Sequence, residues 1–172
     1  LSQLTYPFTV ATWINPNGFT PDGVIFTRNS WPGWWIEVLG NGSLNFQTSN
    51  YPNGIVASFV VQLNIWQHVA AVADGSTITF YYQGKKYNSP VATLALGSAG
   101  AASYIGGDAG SYFFNGTIDE VQIWNRVLTP DEITQLNKTN SGNFTLDPEK
   151  GIQLIRNYPV FASGKYTVRI GT

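Results

Sequence analysis

The sequence predicts an all-β fold, a two-sheet antiparallel jelly-roll sandwich with one short helix near residues 130–137. Three observations carry this expectation. Short runs rich in Val, Ile, Phe, Tyr, Trp and Thr recur between clusters of Gly, Pro, Asn, Asp and Ser, which is the pattern of strands punctuated by turns. No strand–helix–strand rhythm and no repeat of fixed period is present, which disfavours a parallel α/β fold and a propeller. The composition agrees: 43% hydrophobic, 15% aromatic and only 11% charged, with 18 Gly and 9 Pro in 172 residues, far fewer charges than the roughly 25% of an average soluble domain.

Strands are expected at residues 8–14, 23–28, 34–39, 43–48, 55–61, 66–73, 77–83, 104–106 and 117–125, with further strand-like runs at 152–156 and 166–170. Gly40-Asn41-Gly42 and Asp74-Gly75 sit between alternating runs and tolerate positive φ, so each predicts a hairpin. Gln83-Gly84-Lys85-Lys86 is a third turn of this kind. The helix has a complete start signal. Thr129 is the N-cap, Pro130 fits the first helical position and Glu132 stands where a capping box needs it. Ile133 and Leu136 share one face, so the helix is expected to cover an end of the sandwich.

Charge and cysteine content narrow the function classes. A formal net charge of -1, from 9 basic and 10 acidic residues without runs of either sign, offers nothing to attract nucleic acid or an anionic membrane. No apolar run reaches the length of a membrane span, so no membrane insertion is expected. Without cysteine there are no disulfides, thiolate metal sites or cysteine nucleophiles. The start at Leu1-Ser2 is read as that of a processed or excised product. Asn-x-Ser/Thr sequons at Asn41, Asn115, Asn137 and Asn143 fit surface loops of an exported glycoprotein.

The stretch from Asn115 to Ile133, NGTIDEVQIWNRVLTPDEI, resembles the closing signature of laminin-G-like, concanavalin-A-like lectin/glucanase domains. Phe8-Thr-Val-Ala-Thr-Trp-Ile-Asn-Pro16, Trp66-Gln-His-Val-Ala70 and Tyr104-Ile-Gly-Gly-Asp108 accompany it in the family's order, so the resemblance spans about residues 7 to 137. It implies a jelly roll of two antiparallel sheets, often with a structural calcium ion, in proteins that bind glycans or other proteins outside the cell. Family members usually begin with further strands before the position of Phe8 and end soon after the helix. The chain therefore divides into a sandwich over 1–137, a polar linker over 138–150 and a strand-forming tail over 151–172. The tail can complete its own sandwich, be exchanged with a neighbouring copy, or begin another domain.

Glycosidases of this fold resemble one another in a strand bearing acidic residues at alternate positions, which lets two carboxylates flank one bond. This chain has no such run. In Asp119-Glu120 adjacent side chains point to opposite strand faces, and Asp119 is expected on the core-facing side with Val121 and Ile123. Two readings of Asp119 stand: an acceptor of backbone N–H bonds or partner of a basic residue, and a calcium ligand aided by carbonyl oxygens. His68, the sole histidine, has no partners for a triad and is read as structural. Trp13, Trp66 and Trp124 lie in strand runs and are read as core.

Recognition is expected in the loops. Three tryptophans flank the Pro-Gly turn of Asn29–Trp35, and Trp31 and Trp34 are candidate sugar-stacking rings. Tyr51, Asn53 and Tyr112 occupy Gly/Asn-rich stretches and join them as candidate ligand contacts. The sequence thus points to a non-catalytic binding or adhesion module at the cell surface or outside the cell, with a glycan or cell-surface protein as partner. The alternatives are a structural subunit assembling with copies of itself into a filament or surface layer and, least favoured, a glycan hydrolase or lyase.

Overall fold

The computed structural model describes residues 6–19, 21–28, 33–48, 51–91, 103–108, 110–138, 154–155 and 158–159. Its strands are β1 (Phe8–Pro16), β2 (Gly23–Arg28), β3 (Trp34–Val38), β4 (Ser43–Thr48), β5 (Tyr51–Val60), β6 (Gln67–Ala73), β7 (Thr77–Tyr82), β8 (Lys85–Val91), β9 (Ser103–Ile105) and β10 (Gly116–Trp124). Then come α1 (Pro130–Lys138) and two short strands, β11 (Leu154–Ile155) and β12 (Tyr158–Pro159). The strands form two antiparallel sheets. One runs β10-β1-β6-β7-β8, with β11 and β12 both added along β10; the other runs β5-β4-β3-β2-β9.

The inner faces of the two sheets interdigitate as one core. Alternation puts Phe8, Val10 and Ile14 of β1, Val69, Ala71 and Ala73 of β6, and Ile36 and Val38 of β3 on this face. Trp34 is its hub. The ring is 0% exposed, with centroids 4.7 Å from Phe8, 5.4 Å from Phe26 and 5.6 Å from Phe46. Aromatic pairs at such separations add about 0.5–1.5 kcal/mol each beyond the area they bury. The expectation of Trp34 as a sugar-stacking loop residue is therefore corrected: β3 begins at Trp34 itself, and the strand turns that ring inward.

The helix does not cover an end of the sandwich, as its apolar face alone led us to expect. It lies on the outer face of the first sheet, where Ile133 and Leu136 pack with Ala11, Ala70, Val72 and Tyr81, beside Trp124 and Leu128. Small residues on β1 and β6 let the helix approach closely. The capping box forms reciprocally, with Glu132 N–H donating to Thr129 Oγ1 (3.2 Å) and Thr129 N–H to Glu132 Oε2 (2.8 Å). Arg126 grips the same carboxylate through both guanidinium nitrogens, at 2.6 and 2.9 Å, and lies over the Trp124 ring. That pairing holds the Glu132 carboxyl down at about 2.

Three further departures have local causes. β8 is absent from the expected strands, because Lys85, Lys86 and Pro90 dilute its pattern, although the hairpin turn leading into it is expected; it is an edge strand, where charge and proline are tolerated. It follows β7 through Gln83-Gly84, both at positive φ, as a two-residue hairpin requires. Trp66 is 41% exposed instead of core, because β6 starts one residue later. The buried Gln67 side chain then ties the preceding loop to itself, donating to the Gln62 and Ile65 carbonyls and accepting the Gln62 N–H. Finally, β10 carries a bulge opposite Ala11–Trp13, with Glu120 at φ 52°. Ile118 and Val121 both face the core across that bulge, which displaces Asp119 from the face it was expected to share with Val121 and Ile123.

β11 and β12 pair with β10 of their own chain, Val121 opposite Ile155 and Thr117 opposite Pro159. The other tail run, 166–170, and Trp31 lie outside the described residues.

His68 is 2% exposed, its ring set edge-on to Trp13, and burial brings its pKa down from 6.5 to about 4. The folded pKa is depressed, so above pH 6.5 both states are neutral and nothing is lost. As pH falls towards 4 the unfolded chain takes up a proton that the folded one refuses. Stability should fall across this window by up to about 3 kcal/mol. Urea unfolding at pH 7, 5.5 and 4 should show the decline, and His68→Gln should flatten it. Trp34→Ala should cost about 3–5 kcal/mol by the same measurement.

Candidate functional site

The outer face of the second sheet carries a cleft of about 410 Å³, within the range of small-ligand pockets. Its floor is strand. Val24 of β2, Trp35 and Glu37 of β3 and Gln47 of β4 line it from below. The register places Glu37 opposite Val24 on one side and Asn45 on the other, so these side chains share the outward face by the two-residue period of the strands. Asp22 closes one side, and Asp108 and Tyr112 another.

Each wall is fastened. The Asp22 carboxylate accepts the Gly40 N–H, linking the entry of β2 to the β3–β4 turn. Asp108 and Ser111 exchange two backbone hydrogen bonds of 2.8 Å, closing the turn that presents Tyr112. Val24 N–H donates to the Tyr112 carbonyl at 2.9 Å, and Gly106 N–H to Ile25, which stitches the loop along β2. Tyr112 itself sits at φ 51° with 57% of its surface exposed. A left-handed tyrosine with an open ring is uncommon and is held here by its neighbours' hydrogen bonds.

Glu37 is the buried charge of the site, 5% exposed. Asn45 Nδ2 donates to its Oε1 at 2.8 Å. Burial raises the Glu37 carboxyl above the usual range, opposed by the hydrogen bonds from Asn45 and Trp35 and reinforced slightly by Asp22. The Gln47 side-chain amide donates to the Pro52 carbonyl, joining β4 to β5. Trp35, half-buried, offers a ring on the cleft floor whose orientation is fixed by the strand and by Glu37. An aromatic floor, a second ring at the rim and several fixed oxygen acceptors can stack against one face of a polar ring and take hydrogen bonds from its hydroxyls.

Of the five expected ligand contacts, Tyr112 lines this cleft. Trp34 is in the core. Tyr51 and Asn53 belong to β5 rather than to a loop; Asn53 is exposed beside Pro52 but does not line the cleft. Asp119 Oδ1 accepts the Glu120 N–H at 2.8 Å, and its carbonyl accepts the Thr12 hydroxyl at 2.8 Å. Among the described residues no three His, Asp or Glu side chains are grouped to hold a metal ion. Asn41 and Asn115 are exposed outside the strands, whereas Asn137 lies on α1 against Gly84 and not on a loop. Asn143 lies outside the described residues. Among those residues, no helix is long and apolar enough to cross a membrane.

Trp35, Glu37, Gln47, Asp22 and Asp108 were missed in the sequence. One signal was available: in Trp34-Trp35 a strand must turn one ring in and the other out.

The protein-family model described as the concanavalin A-like lectin/glucanases superfamily matches residues 1–134. Among solved structures, a candidate carbohydrate-binding protein from Bacteroides ovatus superposes with a TM-score of 0.64 at 19% identity, over 75% of this chain and 40% of that one. Domain 4 of AbnA, a GH43 extracellular arabinanase from Geobacillus stearothermophilus in complex with arabinotriose, gives 0.62 at 23% identity, over 76% and 66%. The CBM40 of Ruminococcus gnavus IT-sialidase, bound to α2,3-sialyllactose, gives 0.64 at 14% identity, over 76% and 82%. This chain thus spans less than two thirds of the length of the first two, and all three likenesses concern the fold. By its sequence match over most of its length and by its two-sheet architecture, the chain belongs to the concanavalin A-like lectin/glucanase superfamily.

Proposed function

We propose that this protein is a non-catalytic carbohydrate-binding module of a protein that works outside the cell or at its surface, and that the cleft over β2, β3 and β4 is where it takes a saccharide. The observation that carries the reading is Trp35 on the strand floor with Tyr112 at the rim, around oxygen acceptors fixed by their own hydrogen bonds. Flat rings favour the C–H faces of sugars, and rigid strands hold them without an ordering cost on binding. The saccharides held by two relatives of this fold, arabinotriose and sialyllactose, support the same reading.

Binding is favoured over hydrolysis by the state of the carboxylates. Glu37 is almost wholly buried and engaged by Asn45 and Trp35, which leaves it poorly placed to exchange a proton with a glycosidic oxygen. A hydrolase of this chemistry needs an acid and a base or nucleophile on opposite sides of one bond.

Trp35→Ala should weaken saccharide binding by about tenfold or more, the loss of one stacking ring, while moving the urea midpoint far less than Trp34→Ala does. Titration calorimetry on a saccharide selected from a glycan array checks this. Unchanged affinity in Trp35→Ala would exclude the cleft. Turnover of a glycan lost in Glu37→Gln would instead establish an enzyme.

A further inference from the structure

We infer that the cleft selects uncharged saccharides and rejects those bearing carboxylate or sulfate groups, with Asp22, Glu37 and Asp108 as the discriminating side chains. The inference rests on the reading of the cleft as a saccharide site and deepens it. Three of the chain's ten acidic residues line this one cleft, and among the described residues no lysine or arginine does. Arg28, on β2, is buried and does not line the cleft. The described lysines, Lys85, Lys86 and Lys138, belong to β8 and α1, and none of them lines the cleft.

The hydrogen-bonding inventory points the same way. The Gln47 amide N–H is engaged by the Pro52 carbonyl, and the Asn45 amide N–H and the Trp35 side chain by Glu37. Much of the donor capacity of the cleft floor is therefore committed within the protein, the second Gln47 amide N–H apart. Carboxylate oxygens and the Gln47 side-chain carbonyl are acceptors on the lining of the cleft. A surface rich in acceptors complements hydroxyls, each of which brings a proton. A sialic acid, uronate or sulfated sugar brings acceptors of its own and a negative charge. Low-dielectric walls focus the field of the three carboxylates on that charge, and like-charge juxtaposition is an effective means of rejecting a wrong partner.

The test is a glycan array printed with neutral oligosaccharides and their sialylated, uronate-bearing and sulfated counterparts, probed with the whole chain. Titration with the best matched pair, such as lactose and 3′-sialyllactose, then gives the ratio of affinities. The neutral member should bind at least about tenfold more tightly than its anionic counterpart. The ratio should narrow in the doubly substituted Asp22→Asn, Asp108→Asn protein, and should also narrow in wild type as salt is raised.

An anionic member that binds equally well or better would overturn the selectivity while leaving the saccharide reading intact. A ratio unchanged by the double substitution would overturn the role of the carboxylates. Binding to neither half of the array would overturn the reading of the cleft itself and this inference with it. Should the double variant fail to fold, the wild-type ratio and its salt dependence still decide.

Discussion

The ring of Trp34 is clasped by Phe8, Phe26 and Phe46 from both sheets, and much of the molecule follows from that placement. A strand cannot turn two neighbouring side chains to the same face. Once Trp34 is committed to the core, Trp35 must emerge on the outer face of the second sheet, and Glu37 with it. Pairing in register brings Val24 and Asn45 alongside. The core and the cleft are thus the two faces of one strand, and the packing that stabilises the sandwich also orients the floor of the site.

Much of the fold was legible because its signals are local. The Asp74-Gly75 and Gly40–Gly42 turns lie between paired antiparallel strands, and the Thr129/Glu132 capping box forms where the spacing places it. What failed to show depended on partners distant in sequence. The bulge that sends Asp119 away from the core is a mismatch between β10 and β1, and nothing within β10 announces it. The position of α1 was hidden for a related reason: its apolar face says that it packs, but only Ala11 and Ala70, brought together by β1–β6 pairing, provide the shallow surface it packs on. β8 was obscured by the charges that its edge position permits.

The site was less legible than the fold. Loop aromatics include Tyr112, but of the pair Trp34-Trp35 the turn-based reading selects Trp34, the ring that β3 buries, in place of Trp35, which the strand's alternation sends outward. Trp66 shows the converse error, a ring assigned to the core that Gln67 leaves outside. The acidic lining was invisible in principle. Asp22, Glu37 and Asp108 are scattered along the chain, and they meet only because β2 pairs with β3 on one side and β9 on the other. Alternating acids along a single strand, the pattern sought in the sequence, is only one way to gather carboxylates; a sheet gathers them equally well across strands.

The two sheets differ in what covers them, and this asymmetry locates recognition. The outer face of the first sheet is roofed by α1 and the segment around Leu128, whose Thr9 anchor joins β1 to the Arg126 carbonyl and the Leu128 N–H. That face is occupied by the protein's own residues. Among the described residues no helix lies over the second sheet, and the turn bearing Asp108 and Tyr112 shelters only part of β2, leaving a concavity where a flat strand surface would otherwise stand. The buried Glu37 beneath the concavity needs a partner and has one in Asn45, while exposed hydrogen bonds from Gln47 to Pro52 and from Gly40 to Asp22 fasten the margins. A floor whose side chains are already hydrogen-bonded within the protein is ordered before any ligand arrives. Its specificity is then set less by adjustment than by the charge and acceptor pattern that the sheet fixes as it folds.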